Sequence, residues 1–383
     1  MGANNMENKK ILFISGTRAD YGKIKSLINI LNDDDNFEVF IFATGMHLLS
    51  KYGYTYKEIE KDGFPFIFPF VNQNHYTNMS LALSNTINGL SYYIDETNPD
   101  AIVVHGDRLE ALAGAIVGAF NNIRVLHIEG GEVSGTIDES IRHAITKLSN
   151  FHFVANDEAK KRIIQLGEPE DNIFVFGSPD IDIMYSDKLP KIKDVKKRYE
   201  IPFDNYNILM YHPVTTEIDK IKDNICHVVD AVLNSNENYV VIYPNNDSGS
   251  EIILKEYERF KGNDNFKVIP SMRFEYFLSL LRATDCMVGN SSSGIRETSI
   301  YKIPTVDIGS RQSGRYDINN SPNIIHVDEN ENIVDAIKNA KKIFVDKSSN
   351  FGSGKSDILF HNILLDSYIW DTPIQKQFID VDF

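Results

Sequence analysis

Cysteine is almost missing from this chain: its 383 residues hold only Cys226 and Cys286. That excludes a disulfide framework and a CxxC metal site, and leaves both thiols as small buried side chains. Long apolar runs are missing too. None approaches the roughly 18–20 residues a membrane span needs, and the first ten residues hold no hydrophobic signal region. Gly2 opens no myristoylation site, because Met6 stands where Ser or Thr is required. A cytoplasmic protein is expected, with Met6 as the native start and the residues before it a disordered lead-in. Positive charge is in deficit: 39 Lys and Arg face 54 Asp and Glu, a formal net charge of −15. That balance speaks against a nucleic-acid or anionic-membrane binder, while a few arginines can still line a cleft for a small anion. No GxGxxG, Walker, GxSxG or zincin signature occurs, so dinucleotide binding and the chemistries of those motifs are not indicated.

What is present is a repeated grammar. Ala101-Ile-Val-Val-His-Gly-Asp-Arg108 and Arg124-Val-Leu-His-Ile-Glu-Gly-Gly131 each run from a buried strand into polar residues. In open α/β sheets that carboxyl edge is where ligands bind. Lys10-Ile-Leu-Phe-Ile14 and Phe37-Glu-Val-Phe-Ile-Phe-Ala43 are earlier strands, and 64–68 reads as an edge strand because of its proline. Helices are predicted over about 80–96 and 111–120, the second rich in small residues that let it pack close to a sheet. Phe151-His-Phe-Val-Ala155 and Ile173-Phe-Val-Phe176 complete a Rossmann-like domain. A polar, proline-bearing stretch over 186–194 marks a boundary. The pattern then restarts with strands at 207–211, 239–243, 286–289 and 305–308, each again leading into a polar cluster. With 42% apolar and 24% charged residues, the chain suits two α/β domains, each with its own core. We assign 1–186 to the first domain, 187–359 to the second, and 360–383 to a C-terminal helical segment.

Several clusters carry chemistry. Ser15-Gly-Thr-Arg18 leaves room for a phosphate at a helix N-terminus, and Arg18 reads equally as a phosphate contact or a solvated side chain. Asn290-Ser-Ser-Ser-Gly-Ile-Arg-Glu297 offers hydroxyls, a glycine and a helix start for a phosphate, with Glu297 placed to accept from a ribose diol. Arg311 adds charge for a diphosphate, and His212 stands before Pro213 at another strand end. Asp107, Glu129 and Asp138 form an acid–base set; any one alone reads as well as a helix cap. His105 and His127 are candidates for orienting a carboxylate, and their spacing specifies no metal.

The chain resembles the hydrolysing UDP-N-acetylglucosamine 2-epimerases of sialic-acid biosynthesis, and the epimerase half of the bifunctional animal epimerase/kinase. The shared segments are Thr17-Arg-Ala-Asp-Tyr21, Val104-His-Gly-Asp-Arg108, the block from His127 to Leu148, His212-Pro-Val-Thr-Thr216 and Gly289-Asn-Ser-Ser-Ser-Gly294 through Glu297. The resemblance implies a glycosyltransferase-B architecture, two Rossmann-like domains facing a cleft, with a C-terminal helix crossing back to the first. It implies conversion of UDP-N-acetylglucosamine and water into N-acetylmannosamine and UDP, by elimination to a glycal and hydration. Asp107, Glu129 and Asp138 match the catalytic carboxylates. Arg18, Ala19, Arg108, His212, Asn245, Ser291, Ser292, Glu297 and Arg311 match positions that hold UDP. No cofactor and no metal is implied, and a homo-oligomer, dimer or tetramer, is expected. His-Gly-Asp-Arg108 and His-Ile-Glu-Gly-Gly131 depart from the HGDT and HxEAG patterns of the non-hydrolysing enzymes. A related substrate, UDP-2,4-diacetamido-2,4,6-trideoxyglucose, stays open as an alternative.

Overall fold

The computed structural model describes residues 8–74, 77–134, 136–186, 189–316, 318–343 and 354–380. The proposed lead-in therefore lies outside the described residues. The chain forms two compact units. The first takes the described residues up to Glu132, those of Asp138–Tyr185 and those after 350; the second takes those of Val133–Ile137 and Ser186–Ser349. Among the described residues no helix is long and apolar enough to cross a membrane.

The first unit alternates strands and helices: β1 (Lys9–Ser15), α1 (Arg18–Asn32), β2 (Phe37–Ala43), α2 (Tyr56–Asp62), β3 (Phe66–Pro69), α3 (Met79–Thr97), β4 (Ala101–His105), α4 (Leu109–Phe120), β5 (Arg124–Ile128), α5 (Ile137–Leu148), β6 (Phe151–Val154), α6 (Asp157–Gln165), β7 (Ile173–Val175) and α7 (Pro179–Met184). The strands are all parallel, in the order β3-β2-β1-β4-β5-β6-β7. Helices cover both faces, which is why β4 reads as an unbroken apolar run and is buried along its whole length. Small residues on α4 bring it close to the sheet. A Cβ on Gly114 would stand 2.7 Å from Val104 Cγ1, and one on Gly118 2.4 Å from Val125 Cγ2. The edge strand β3 is mostly exposed, as the proline beside it predicts.

The second unit runs α8 (Ile192–Tyr199), β8 (Asn207–Met210), α9 (Ile221–Asn234), β9 (Tyr239–Ile242), α10 (Ser250–Tyr257), β10 (Phe266–Ile269), α11 (Phe274–Arg282), β11 (Cys286–Gly289), α12 (Glu297–Tyr301), β12 (Thr305–Ile308), β13 (Ile324–Val327) and α13 (Ile333–Ala340). Its six parallel strands are ordered β10-β9-β8-β11-β12-β13. The two outermost, β10 and β13, were not read from the sequence; each is four residues long and only partly buried. After the second unit the chain supplies α14 (Ser356–Leu365) and α15 (Ser367–Asp371). Phe360, Leu364 and Ile369 are fully buried in the core under β1, β2 and β4–β6 of the first unit.

Candidate active site

In the first sheet the strand order reverses between β1 and β4, the position whose carboxyl edge forms a crevice in doubly wound folds. Beyond β4 the chain turns at Gly106, with φ +71°. The Gly106 N–H donates to Ile128 O at 2.9 Å, and His127 Nε2 donates to Gly106 O at 2.9 Å. His127 Nδ1 lies 3.2 Å from the Thr146 hydroxyl, so the ring's two partners settle its tautomer. Burial drops His127 to a pKa of about 3, which keeps it neutral. His127 thus orients a backbone turn, not a carboxylate. That turn delivers Asp107 to Arg142 on α5, in an ion pair buried on the arginine side. Arg142 Nη1 also donates to Glu132 O at 3.0 Å, which fixes the guanidinium between two segments. Asp138 stands one helical turn before Arg142, in the first turn of α5, where the helix dipole favours an acid.

Glu129 follows β5 with φ +61°, a left-handed backbone that costs a non-glycine residue about 1 kcal/mol or more. Its N–H donates to Phe153 O at 2.8 Å, and its carboxylate is buried. His105 Nε2 donates to Oε2 at 3.1 Å, and the Ser178 hydroxyl donates to Oε1. The adjoining glycines serve packing. A Cβ on Gly130 would stand 2.8 Å from His127 Nδ1, and one on Gly131, at φ +76°, 2.3 Å from Ala159 O. The rest of that loop includes Gly135, which lies outside the described residues.

The turn between β1 and α1 differs from its sequence expectation. Thr17 and Asp20 form a capping box. Asp20 Oδ2 accepts from Gly16 N at 2.9 Å and Thr17 N at 3.3 Å, and Oδ1 accepts from the Ser15 hydroxyl at 2.5 Å. The space read as a phosphate cradle is filled by the protein's own carboxylate, which satisfies the helix N-terminus from within. Ser15 also lies 2.9 Å from His47 Nε2, and burial drops that imidazole to a pKa of about 4. Arg18 heads α1 and pairs with Glu58 at 2.7 Å, while Ala19 beside it is exposed. Arg108 Nε lies 3.9 Å from Glu110, a buried acid seated against two glycines. A Cβ on Gly16 or Gly45 would come within 2.7 or 2.5 Å of the Glu110 carboxylate.

In the second sheet the order reverses between β8 and β11, and His212 and Asn290 meet at that point. His212 N donates to Asn290 Oδ1 at 2.6 Å, and Asn290 Nδ2 returns a bond to His212 O at 2.9 Å. The approach depends on Gly289, at φ +132°, where a Cβ would stand 2.1 Å from Met210 O. Asn245 N donates to His212 Nδ1 at 3.0 Å, so in the neutral ring Nε2 carries the proton. Asn290 O accepts from Arg311 Nη1 at 3.3 Å and Gln312 Nε2 at 2.7 Å, which anchors the buried Arg311. Ser291 caps the short turn that follows by accepting from Ser293 N at 3.4 Å, with Ser292 next in the same turn. Glu297 is buried in the first turn of α12. His212, Asn245, Ser291, Ser292 and Arg311 are thus gathered around Asn290, with Glu297 one short turn on. This arrangement can offer imidazole, hydroxyl and guanidinium donors to an anionic ligand.

Sequence reasoning did not single out Arg142, Ser178 or Gln312 as site residues, and took Asn290 only as the head of the Asn290–Glu297 cluster. Ser178 gave no local signal, and Arg142 stood out only as part of the shared block from His127 to Leu148. Among the described residues no three His, Cys, Asp or Glu side chains are grouped to hold a metal ion.

Comparison with known proteins supplies the family. Residues 29–365 match the family model described as UDP-N-acetylglucosamine 2-epimerase. A UDP-N-acetylglucosamine 2-epimerase of Neisseria meningitidis serogroup B is 45% identical over 379 residues, 98% of this chain and 100% of that protein. A hydrolyzing UDP-N,N'-diacetylbacillosamine 2-epimerase of Legionella pneumophila is 35% identical over 363 residues, 93% of this chain and 95% of that one. The crystal structure of a Neisseria meningitidis UDP-GlcNAc 2-epimerase bound to UDP-GlcNAc aligns with a TM-score of 0.77, covering 93% of this chain and 99% of the other. At 17% identity that likeness is one of fold. The chain belongs to the UDP-N-acetylglucosamine 2-epimerase family.

Proposed function

We propose that the enzyme is hydrolysing, converting UDP-N-acetylglucosamine and water into N-acetylmannosamine and UDP for sialic-acid synthesis. The observation that carries this reading is the pair of fixed carboxylates beyond β4 and β5. Asp107 is held by Arg142, and Glu129 by His105 and Ser178. The sugar's C2 proton is weakly acidic, so a base has to act as the C1–O bond to UDP breaks. The C2–H electrons become the C1–C2 double bond of a 2-acetamidoglucal, and UDP leaves with the C1–O electrons. Water then bonds through its oxygen to C1 and gives one proton to a carboxylate, while an acid delivers a proton to C2 on the face opposite the one deprotonated. Asp107, Glu129 and Asp138 divide the proton transfers. His212, Asn245, Ser291, Ser292, Glu297 and Arg311 hold UDP, and Arg311 offsets charge on the departing diphosphate. Arg18, Ala19 and Arg108 complete the set, with Arg18 exchanging Glu58 for a phosphate.

Three points favour hydrolysis of this substrate. His-Gly-Asp-Arg108 departs from the non-hydrolysing pattern, the Legionella relative is named as hydrolyzing, and the Neisseria relative with the N-acetylglucosamine name is the more similar of the two. The Legionella name also supports a second reading, in which the sugar is the 2,4-diacetamido-6-deoxy analogue. Incubation with UDP-N-acetylglucosamine in deuterated water, followed by NMR, tests the proposal. Free N-acetylmannosamine deuterated at C2, with UDP, is the expected product. Two UDP-sugars at equilibrium with no free sugar would overturn hydrolysis, and an inert UDP-N-acetylglucosamine alongside turnover of the diacetamido sugar would shift the substrate.

A further inference from the structure

The segment after α14 makes a set of bonds that the proposed chemistry leaves unused. Arg124, at the start of β5, donates Nε to Ile369 O at 2.9 Å and Nη2 to Thr372 O at 3.1 Å. Asn150, just ahead of β6, donates to Ile374 O at 2.8 Å. The Tyr368 hydroxyl donates to Asn172, just ahead of β7, at 2.8 Å. The tail is therefore laid across the amino ends of three strands, the edge opposite the polar loops. Near its end it carries one half-buried cation. Lys376 Nζ donates to Lys147 O at 2.9 Å and Ser149 O at 2.7 Å, and lies 3.4 Å from Thr146 O. Those carbonyls close the C-terminal end of α5, where helix carbonyls otherwise lack partners. The same ammonium meets Glu168 Oε2 at 2.5 Å. Glu168 is fully buried and also takes Lys147 at 2.6 Å and His152 at 3.1 Å. A cation at a helix C-terminus is favoured by the dipole as well.

We propose that Lys376 is a positioning residue, which fixes α5 along its axis and thereby sets where Asp138 and Arg142 stand. The inference rests on the reading of Asp107 and Asp138 as reacting carboxylates. α5 is twelve residues long, about 18 Å. Its far end carries Asp138, and its middle carries the Arg142 that holds Asp107. Between them, Lys376 and Arg142 tie the helix at two points along its length. A shift of about 1 Å in a reacting group costs up to about 100-fold in rate, so a loosened C-terminal anchor is felt at the other end.

The test compares Lys376→Met, which keeps the stem and removes the charge, with Lys376→Arg, which restores a cation. Each is measured for hydrogen exchange across 143–149, for kcat and KM with UDP-N-acetylglucosamine, and for UDP affinity by calorimetry. The expected result for Lys376→Met is a folded protein with faster exchange in that segment. Its kcat falls about 10-fold, with KM and UDP affinity within about twofold, and Lys376→Arg recovers most of the loss. A folded Lys376→Met with wild-type exchange or wild-type kcat would overturn the proposal. So would a Lys376→Met that does not fold, since that assigns the lysine to global stability. A wild-type protein that releases no sugar would sink the functional reading alone, and is seen before any variant is made.

Discussion

At the scale of single residues, the site is a set of pairings that hold charge in place before any ligand arrives. Asp107→Asn keeps the shape and removes the charge, so turnover should fall by about 10²–10⁴. On the proposed assignment of UDP binding to other side chains, UDP affinity should stay within about threefold of wild type by calorimetry; a collapse of affinity would mark Asp107 as structural. Arg142→Met should lower turnover as well, because it leaves the partly exposed Asp107 without its cation, at a cost in stability of about 1–3 kcal/mol seen in urea melts. The two partners of this pair were not equally legible. Asp107 and Glu129 stand at the ends of apolar strands, so the sequence grammar marks them. Arg142 sits on the buried face of α5 between Ile141 and Ile145, where periodicity predicts a core position, and its carboxylate is 35 residues away. Ser178 lies 49 residues from Glu129. Spacing arguments reach one or two turns of helix, and pairings of that range come only from the folded sheet.

At the scale of elements, glycines decide which strand ends can meet. Gly289→Ala would place a methyl 2.1 Å from Met210 O in a backbone region closed to side chains. It should separate the His212 and Asn290 loops, lower stability by about 2 kcal/mol or more in a urea melt, and weaken UDP binding at least tenfold by calorimetry. The central strands and the small-residue helix α4 were readable, because burial on both faces leaves continuous apolar runs and close packing demands small side chains. β10 and β13 were not, since four half-buried residues such as Ile324-Ile-His-Val327 show no clear period. The β1–α1 turn was misjudged for a different reason. Thr17-Arg-Ala-Asp20 has the spacing of a capping box, and that signal gives the helix N-terminus to the carboxylate, leaving the Arg18 side chain as the turn's phosphate candidate.

At the scale of the whole molecule, three buried imidazoles set a direction for pH, with burial lowering His152 as it does His47 and His127. His47 and His127 have pKa values lowered to about 4 and about 3 by burial, against about 6.5 in the unfolded chain. Below that value the unfolded chain binds protons that the folded one refuses, so stability falls as pH drops from about 6.5 toward about 4, by about 1.4 kcal/mol per pH unit for each group. His326 runs the other way, raised by its hydrogen bond to Asp307, but its side chain is 40% exposed and its share is small. Urea midpoints measured between about pH 4.5 and pH 7 should show the net slope, and His127→Gln should flatten it. The core of the first unit includes Phe360, Leu364 and Ile369, each fully buried, worth about 1.5–3 kcal/mol apiece. Residues 1–185 expressed alone should therefore fail to melt cooperatively by circular dichroism, and added peptide 354–383 should restore the transition. Chain order gives that debt a consequence during synthesis. The ribosome makes the whole second unit before it reaches Phe360, so the first sheet waits, with part of the face under α1 uncovered, for the length of about 170 further residues. A transcript that stalls in that interval yields a nascent chain whose second unit can close and whose first cannot, and it is the first that chaperones would have to hold.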